Sequence, residues 1–120
     1  MISQLSEELG TLSHFSDAVA PAITRVVFSE TDLRARAYVK KLCAAAGLVV
    51  REDAVGNTFA RCVGADPLLP AVGTGSHIDA IPNAGMYDGT VGALGGLGPG
   101  RVDRHRRHQV PRGGQLGQCA

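Results

Sequence analysis

The apolar patterning of this 120-residue chain ends at Leu97. Residues 98–120 hold Gly98, Gly100, Gly113, Gly114 and Gly117, two prolines, five arginines, His105 and His108, and no apolar period survives among them. A core must therefore come from residues 1–97, enough for one small domain and no more. Residues 98–120 cannot bury enough surface to offset their ordering entropy, and disorder is expected there.

Charge divides at the same place. Residues 1–97 carry seven Lys and Arg against ten Asp and Glu, a net −3; residues 98–120 carry five Arg against Asp103, a net +4. The overall +1 thus hides an acidic body and a basic tail. The run Arg104 to His108 lacks interleaved aromatics and a fold around it, so a solvated tail is expected rather than a nucleic-acid partner. A basic-tail binding module is the rival, and salt-sensitive nucleic-acid binding would support it.

Hydrophobic content of 44% and charged content of 19% suit a soluble globular class. Cys43, Cys62 and Cys119 are odd in number and show no C-x-x-C spacing, which argues against a disulfide framework or a zinc ribbon. Reduced thiols, the acidic Glu7 and Glu8, and the lack of a signal-peptide pattern or a run of ~20 apolar residues lead to a cytoplasmic expectation without membrane contact.

Along the body, Leu5, Leu9 and Leu12 predict a short amphipathic helix within residues 3–15, with Glu7 and Glu8 on its other side. Ile23 to Phe28 reads as a loop or irregular strand. Ser29 followed by Asp32 resembles a capping box, and Ala35, Tyr38, Val39, Leu42, Cys43 and Ala46 form one apolar stripe. Gly47 suits the left-handed residue that ends that helix. Residues 48–53 and 58–63 predict an antiparallel pair through Gly56-Asn57. The first part of 71–81 reads as a buried parallel strand, and 88–97 as a helix weakened by glycines at 89, 92, 95 and 96, for which no packing partner is expected here.

The chemistry concentrates between residues 77 and 88. In an extended segment His77 and Asp79 share a face. A neutral imidazole and a carboxylate there suit a divalent metal, one group ligating while the other orients it. Asp88 follows His77 by eleven residues, and its two oxygens can bridge two cations. Gly85 and Gly89 let the backbone pass close to such ions. On spacing alone a structural or solvent-facing His–Asp pair remains the more ordinary reading. His14 reads as a capping or surface residue, and Cys43 and Cys62 as inert small hydrophobes.

Gly75-Ser76-His77-Ile78-Asp79, then Gly85-x-Tyr87-Asp88-Gly89 and a Gly-rich helix, resemble the first metal motif of the hydantoinase/carbamoylase family. These are dinuclear zinc or manganese amidohydrolases related to aminoacylase- and carboxypeptidase-type metallopeptidases. Thr24 to Glu30, Tyr38-Val39-Lys40, Ala46 to Asn57 and Leu69 to Val72 resemble the same family, so the likeness covers roughly residues 5–97. It is greatest to the branch acting on ureidoglycolate and allantoate.

The resemblance implies an α/β fold: the N-terminal part of a zinc-exopeptidase-like catalytic domain, with a mixed sheet flanked by helices, truncated. It implies that His77 binds one metal, that Asp88 bridges two, and that Asp79 is the catalytic-site carboxylate that holds His77 and helps set the site's electrostatics. It also implies two Zn²⁺ or Mn²⁺ ions per complete site and a small ureide or N-carbamoyl substrate, with N-carbamoyl amino acids as the alternative. The family's Glu-Glu pair, two further histidines and its lid and homodimerisation domain have no match here. An out-of-frame reading of a GC-rich gene would produce the composition past residue 97. The chain thus reads as a truncated, inactive product, a non-catalytic remnant being the rival to an enzyme.

Overall fold

The structure is a computed structural model that describes residues 2–106 and 118–119, with side chains described for residues 2–101. Helix α1 (Ile2–Ser13) places Leu9 and Leu12 in the core with Leu5 packed at its edge. His14 closes its end, the ring Nδ1 lying 2.7 Å from the Gly10 carbonyl oxygen. Glu8 departs from expectation, for it is buried beside that stripe rather than turned away from it.

Strand β1 (Ile23–Arg25) leads into α2 (Glu30–Ala45). The Ser29 hydroxyl accepts from the Asp32 amide at 3.2 Å, which satisfies one of the free donors at the helix start. Ala35, Cys43 and Ala46 from the anticipated stripe are buried, with Tyr38, Val39 and Leu42 packed against them. Gly47 takes φ 74°, the left-handed conformation that ends the helix.

Strands β2 (Val49–Glu52) and β3 (Thr58–Arg61) pair antiparallel, Val49 opposite Arg61 and Glu52 opposite Thr58. Asp53 builds their turn: its Oδ1 accepts from the amides of Val55 and Asn57, and its Oδ2 from the Asn57 side chain. At the far edge of β3 lies β5 (Gln118–Cys119), so the sheet order is β2-β3-β5.

The anticipated parallel strand at 71–81 does not form. Residues 71–79 carry no regular structure and keep Val72 exposed. A buried parallel strand needs neighbours at its edges and cover on both faces, and the described residues supply neither. The strand falls later, as β4 (Ala80–Ala84), and it pairs antiparallel with β1, Ile23 opposite Ala84 and Arg25 opposite Ala80.

Helix α3 (Thr90–Gly95) follows and leads into α4 (Leu97–Arg106). Residues 98–106 are therefore helical, not disordered, and the boundary expected after residue 97 falls within the first turn of α4. Pro99 is tolerated because the amide of a first-turn residue has no helical acceptor to lose. Leu97, Gly100 and Arg101, at i, i+3 and i+4, face inward; a Cβ on Gly100 would stand 3.2 Å from Leu48 Cδ2. Fully buried Leu94 and Leu97 contribute about 1.5–3 kcal/mol each to the core they share with Leu9, Leu12, Leu48 and Ala60. Residues 107–117, His108 among them, lie outside the described residues, as does the side chain of His105. No described helix is long and apolar enough to cross a membrane.

Candidate metal centre

The register of β1 on β4 places the centre. It sets the Arg25 backbone opposite Ala80, and the Arg25 side chain reaches back to donate from Nε to the Ile78 carbonyl at 2.6 Å. Its Nη1 donates to the carbonyls of Leu12 at 3.0 Å and Phe15 at 2.7 Å. One guanidinium thus ties the end of α1 to the peptide between His77 and Asp79.

His77 and Asp79 meet. The His77 Nδ1 lies 3.1 Å from the Asp79 carbonyl oxygen and 3.3 Å from its carboxylate Oδ1. An Nδ1–H donated there leaves the lone pair on Nε2, and Nε2 has no hydrogen-bond partner among the described residues. Both side chains are about half exposed, so their pairing orients the ring more than it stabilises the fold.

The His77 ring lies directly over Gly89. A Cβ at that position would come within 2.6 Å of both ring nitrogens, and the Gly89 φ of 70° is itself one that other residues rarely adopt. One turn on, a Cβ at Gly92 would stand 2.9 Å from Ser76 Oγ. The glycine-rich helix thus has a packing partner that the sequence did not lead one to expect, the Ser76-His77 segment itself. Thr90 secures the turn, its hydroxyl donating to the Met86 carbonyl at 2.6 Å and its amide to the Asp88 carbonyl at 2.8 Å. Asp88, adjacent to Gly89, is exposed, and its carboxylate has no hydrogen bond or ion pair among the described residues. Gly85, read as a second close-approach glycine, has open space where a Cβ would sit.

A cleft of about 320 Å³ opens beside His77 and Asp79, lined also by Ser76, Phe28, Val39, Arg36 and Asn57. Its far wall is braced. Phe28 holds a φ of 63°, donates its amide to Asp32 Oδ2 at 2.8 Å and lays its ring on Gly56. Arg36 donates to Asp32 and to the Gly56 carbonyl, with its guanidinium 4.9 Å from the Phe28 ring centroid.

The donor set suits a divalent cation in kind: an imidazole nitrogen whose partner nitrogen is engaged, and an unpaired carboxylate. It falls short in number, since no group of three or more His, Cys, Asp or Glu side chains among the described residues is placed to hold a metal ion. Arg25, Arg36 and Asn57 border this region without having been singled out as site residues. Only the charge of Arg25 amid apolar strand residues could have signalled it.

Comparison with known proteins decides the family. The chain is 58% identical over 93 residues to the ureidoglycolate hydrolase of Arabidopsis thaliana, a match covering 78% of this chain and 20% of the relative. It is 42% identical over 99 residues to the N-carbamoyl-L-amino-acid amidohydrolase of Paenarthrobacter aurescens, covering 82% of this chain and 24% of that one. A hydantoinase/carbamoylase family amidase from Burkholderia ambifaria superposes with a TM-score of 0.88 at 30% identity, over 98% of this chain and 28% of the amidase. The chain belongs to the hydantoinase/carbamoylase family of amidohydrolases. Its fold is that of the corresponding portion of their catalytic domain, and it spans about a fifth to a quarter of the length of these relatives. No family model matches the chain.

Proposed function

We propose that this chain carries the first metal-binding segment of a dinuclear-metal amidohydrolase that cleaves a linear ureido C–N bond, with ureidoglycolate or allantoate as substrate. The observation that carries the reading is His77. Its Nδ1 is engaged by Asp79, its ring rests on the glycine that follows Asp88, and neither its Nε2 nor the Asp88 carboxylate has a partner among the described residues. The 58% identity to a ureidoglycolate hydrolase favours that substrate class over N-carbamoyl amino acids.

In this reading His77 Nε2 and the Asp88 carboxylate hold the cations, which we propose are Zn²⁺ or Mn²⁺. Bound ions of this kind activate a water and polarise the carbonyl under attack. Asp79 fixes the His77 tautomer and raises the basicity of Nε2. Gly89 lets the ring approach the turn that presents Asp88. The cleft admits a small polar substrate beside the Ser76 to Asp79 segment.

The described residues place too few ligands together for turnover, and no hydrolysis of ureidoglycolate, allantoate or an N-carbamoyl amino acid is expected from this chain alone with added Mn²⁺ or Zn²⁺. The decisive test grafts residues 5–97 in place of the matching segment of the Arabidopsis relative. Metal-dependent hydrolysis of ureidoglycolate that disappears in His77→Ala is the expected result. A folded, metal-loaded chimera that ignores ureidoglycolate and allantoate yet cleaves an N-carbamoyl amino acid would overturn the substrate assignment. One inert toward all three would overturn the activity.

A further inference from the structure

Arg25 is the largest fully buried side chain among the described residues. A guanidinium taken out of water costs free energy unless its donors find acceptors. Here three bonds run to backbone carbonyls on two separate segments: Leu12 and Phe15 after α1, and Ile78 ahead of β4. Burial pushes its pKa below the usual arginine value, while the charges of Asp32 and Asp79 push the other way. A cation kept here against its desolvation cost points to a task that a well-packed apolar side chain could not perform.

The Ile78 carbonyl belongs to the peptide that joins Ile78 to Asp79. Fixing it fixes the plane from which the Asp79 backbone leaves, and so the position of the Asp79 carbonyl and carboxylate that face His77 Nδ1. The segment has no strand pairing to fix its backbone, because residues 71–79 belong to no strand; among the described residues Ser76 and His77 are held through their side chains on Gly92 and Gly89. We propose that Arg25 is a positioning residue for the metal-binding His77, acting through the Ile78 carbonyl to mount the acceptors that orient the imidazole. This rests on the reading of His77 as a metal ligand. A fork with fixed geometry is needed to bridge carbonyls of two segments at once, so lysine does not replace it.

The test uses the 120-residue chain with Zn²⁺ as the only probe, taking as signal the calorimetric binding that His77→Ala removes. Arg25→Lys and Arg25→Ala are expected to weaken that binding about 10–100-fold, the range for groups that orient a metal-bound histidine. Leu9→Ala, a core truncation that removes no hydrogen bond of Arg25, His77 or Asp79, is the control for general destabilisation and should stay within about twofold. In the wild-type chain a scalar coupling across the hydrogen bond from Arg25 Nε to the Ile78 carbonyl carbon should be visible by NMR. Wild-type Zn²⁺ affinity in folded Arg25→Lys, or an equal loss in Leu9→Ala, overturns the proposal. If the arginine variants do not fold, the wild-type coupling decides, and its absence overturns it. If the wild-type chain shows no His77-dependent Zn²⁺ binding, it is the metal reading of His77 that fails. The Arg25 role is then judged from the His77 and Asp79 backbone shifts, which must move in Arg25→Lys and stay put in Leu9→Ala.

Discussion

The Glu8 carboxylate receives both terminal nitrogens of Arg101, Nη2 on Oε1 at 2.7 Å and Nη1 on Oε2 at 3.0 Å, across 93 residues of sequence. This fork-on-carboxylate pair lies largely out of solvent and ties α4 to α1. It means that the helix beginning at Leu97 is part of the folded body rather than an appendage.

Arg101→Met should therefore destabilise the chain. Removing one partner leaves a mostly buried carboxylate without its cation, at a cost of about 1–3 kcal/mol. Urea unfolding of the variant should show the loss as a lower midpoint with an unchanged slope. A chain ending at Leu97 should lose at least as much, since it also uncovers Leu48. Unaltered stability in both would mean that α4 does not dock.

Gly89→Ala tests the approach of His77 to the Asp88 turn. The added methyl meets the imidazole, and the left-handed backbone costs of order 1 kcal/mol for a residue with a Cβ. The expected outcome is a modest loss of stability together with loss of His77-dependent Zn²⁺ binding. Gly85→Ala, where a Cβ meets open space, should leave that binding unchanged.

In the chimera with the Arabidopsis relative, His77→Ala and Asp88→Ala should each abolish hydrolysis. Asp79→Asn should be milder, lowering metal affinity about 10–100-fold. The carbonyl of residue 79 still offers Nδ1 an acceptor at 3.1 Å when the carboxylate is neutralised. Asp88→Ala retaining full rate at saturating metal would remove Asp88 from the site.

Asp53 gives a pH signature. Hydrogen bonds from the Asn57 side chain and amide, and from the amides of Val55 and Gly56, hold its carboxyl below the usual aspartate pKa. A depressed folded-state pKa adds stability that is present above the ordinary aspartate value and is lost as pH falls through the folded one. Acidification through that window should therefore loosen the β2–β3 turn, and Asp53→Asn should abolish the dependence. The Asn57 amide shift against pH reads it directly.

Replacing the Ser29 cap with alanine should cost about 1 kcal/mol of unfolding free energy, measured by urea denaturation. That cap, the α2 stripe, Gly47 and the antiparallel strands around Gly56-Asn57 were all legible in the sequence. Each is decided by contacts within a few residues, where hydroxyl spacing, helical period and turn chemistry leave a local mark. The meeting of His77 with Asp79, two residues on, was legible for the same reason. What only the tertiary structure decided lies between residues far apart. Arg25 bonds to a carbonyl 53 residues away, and Glu8 to an arginine 93 away; neither pairing leaves a period in the chain. The glycines of α3 looked like a weakness until Ser76 and His77 were seen against them. Val72 and its neighbours have the residues of a strand, but the described residues offer no adjoining strand to pair with, so none forms: a strand is a property of its sheet, and a helix largely of its own sequence.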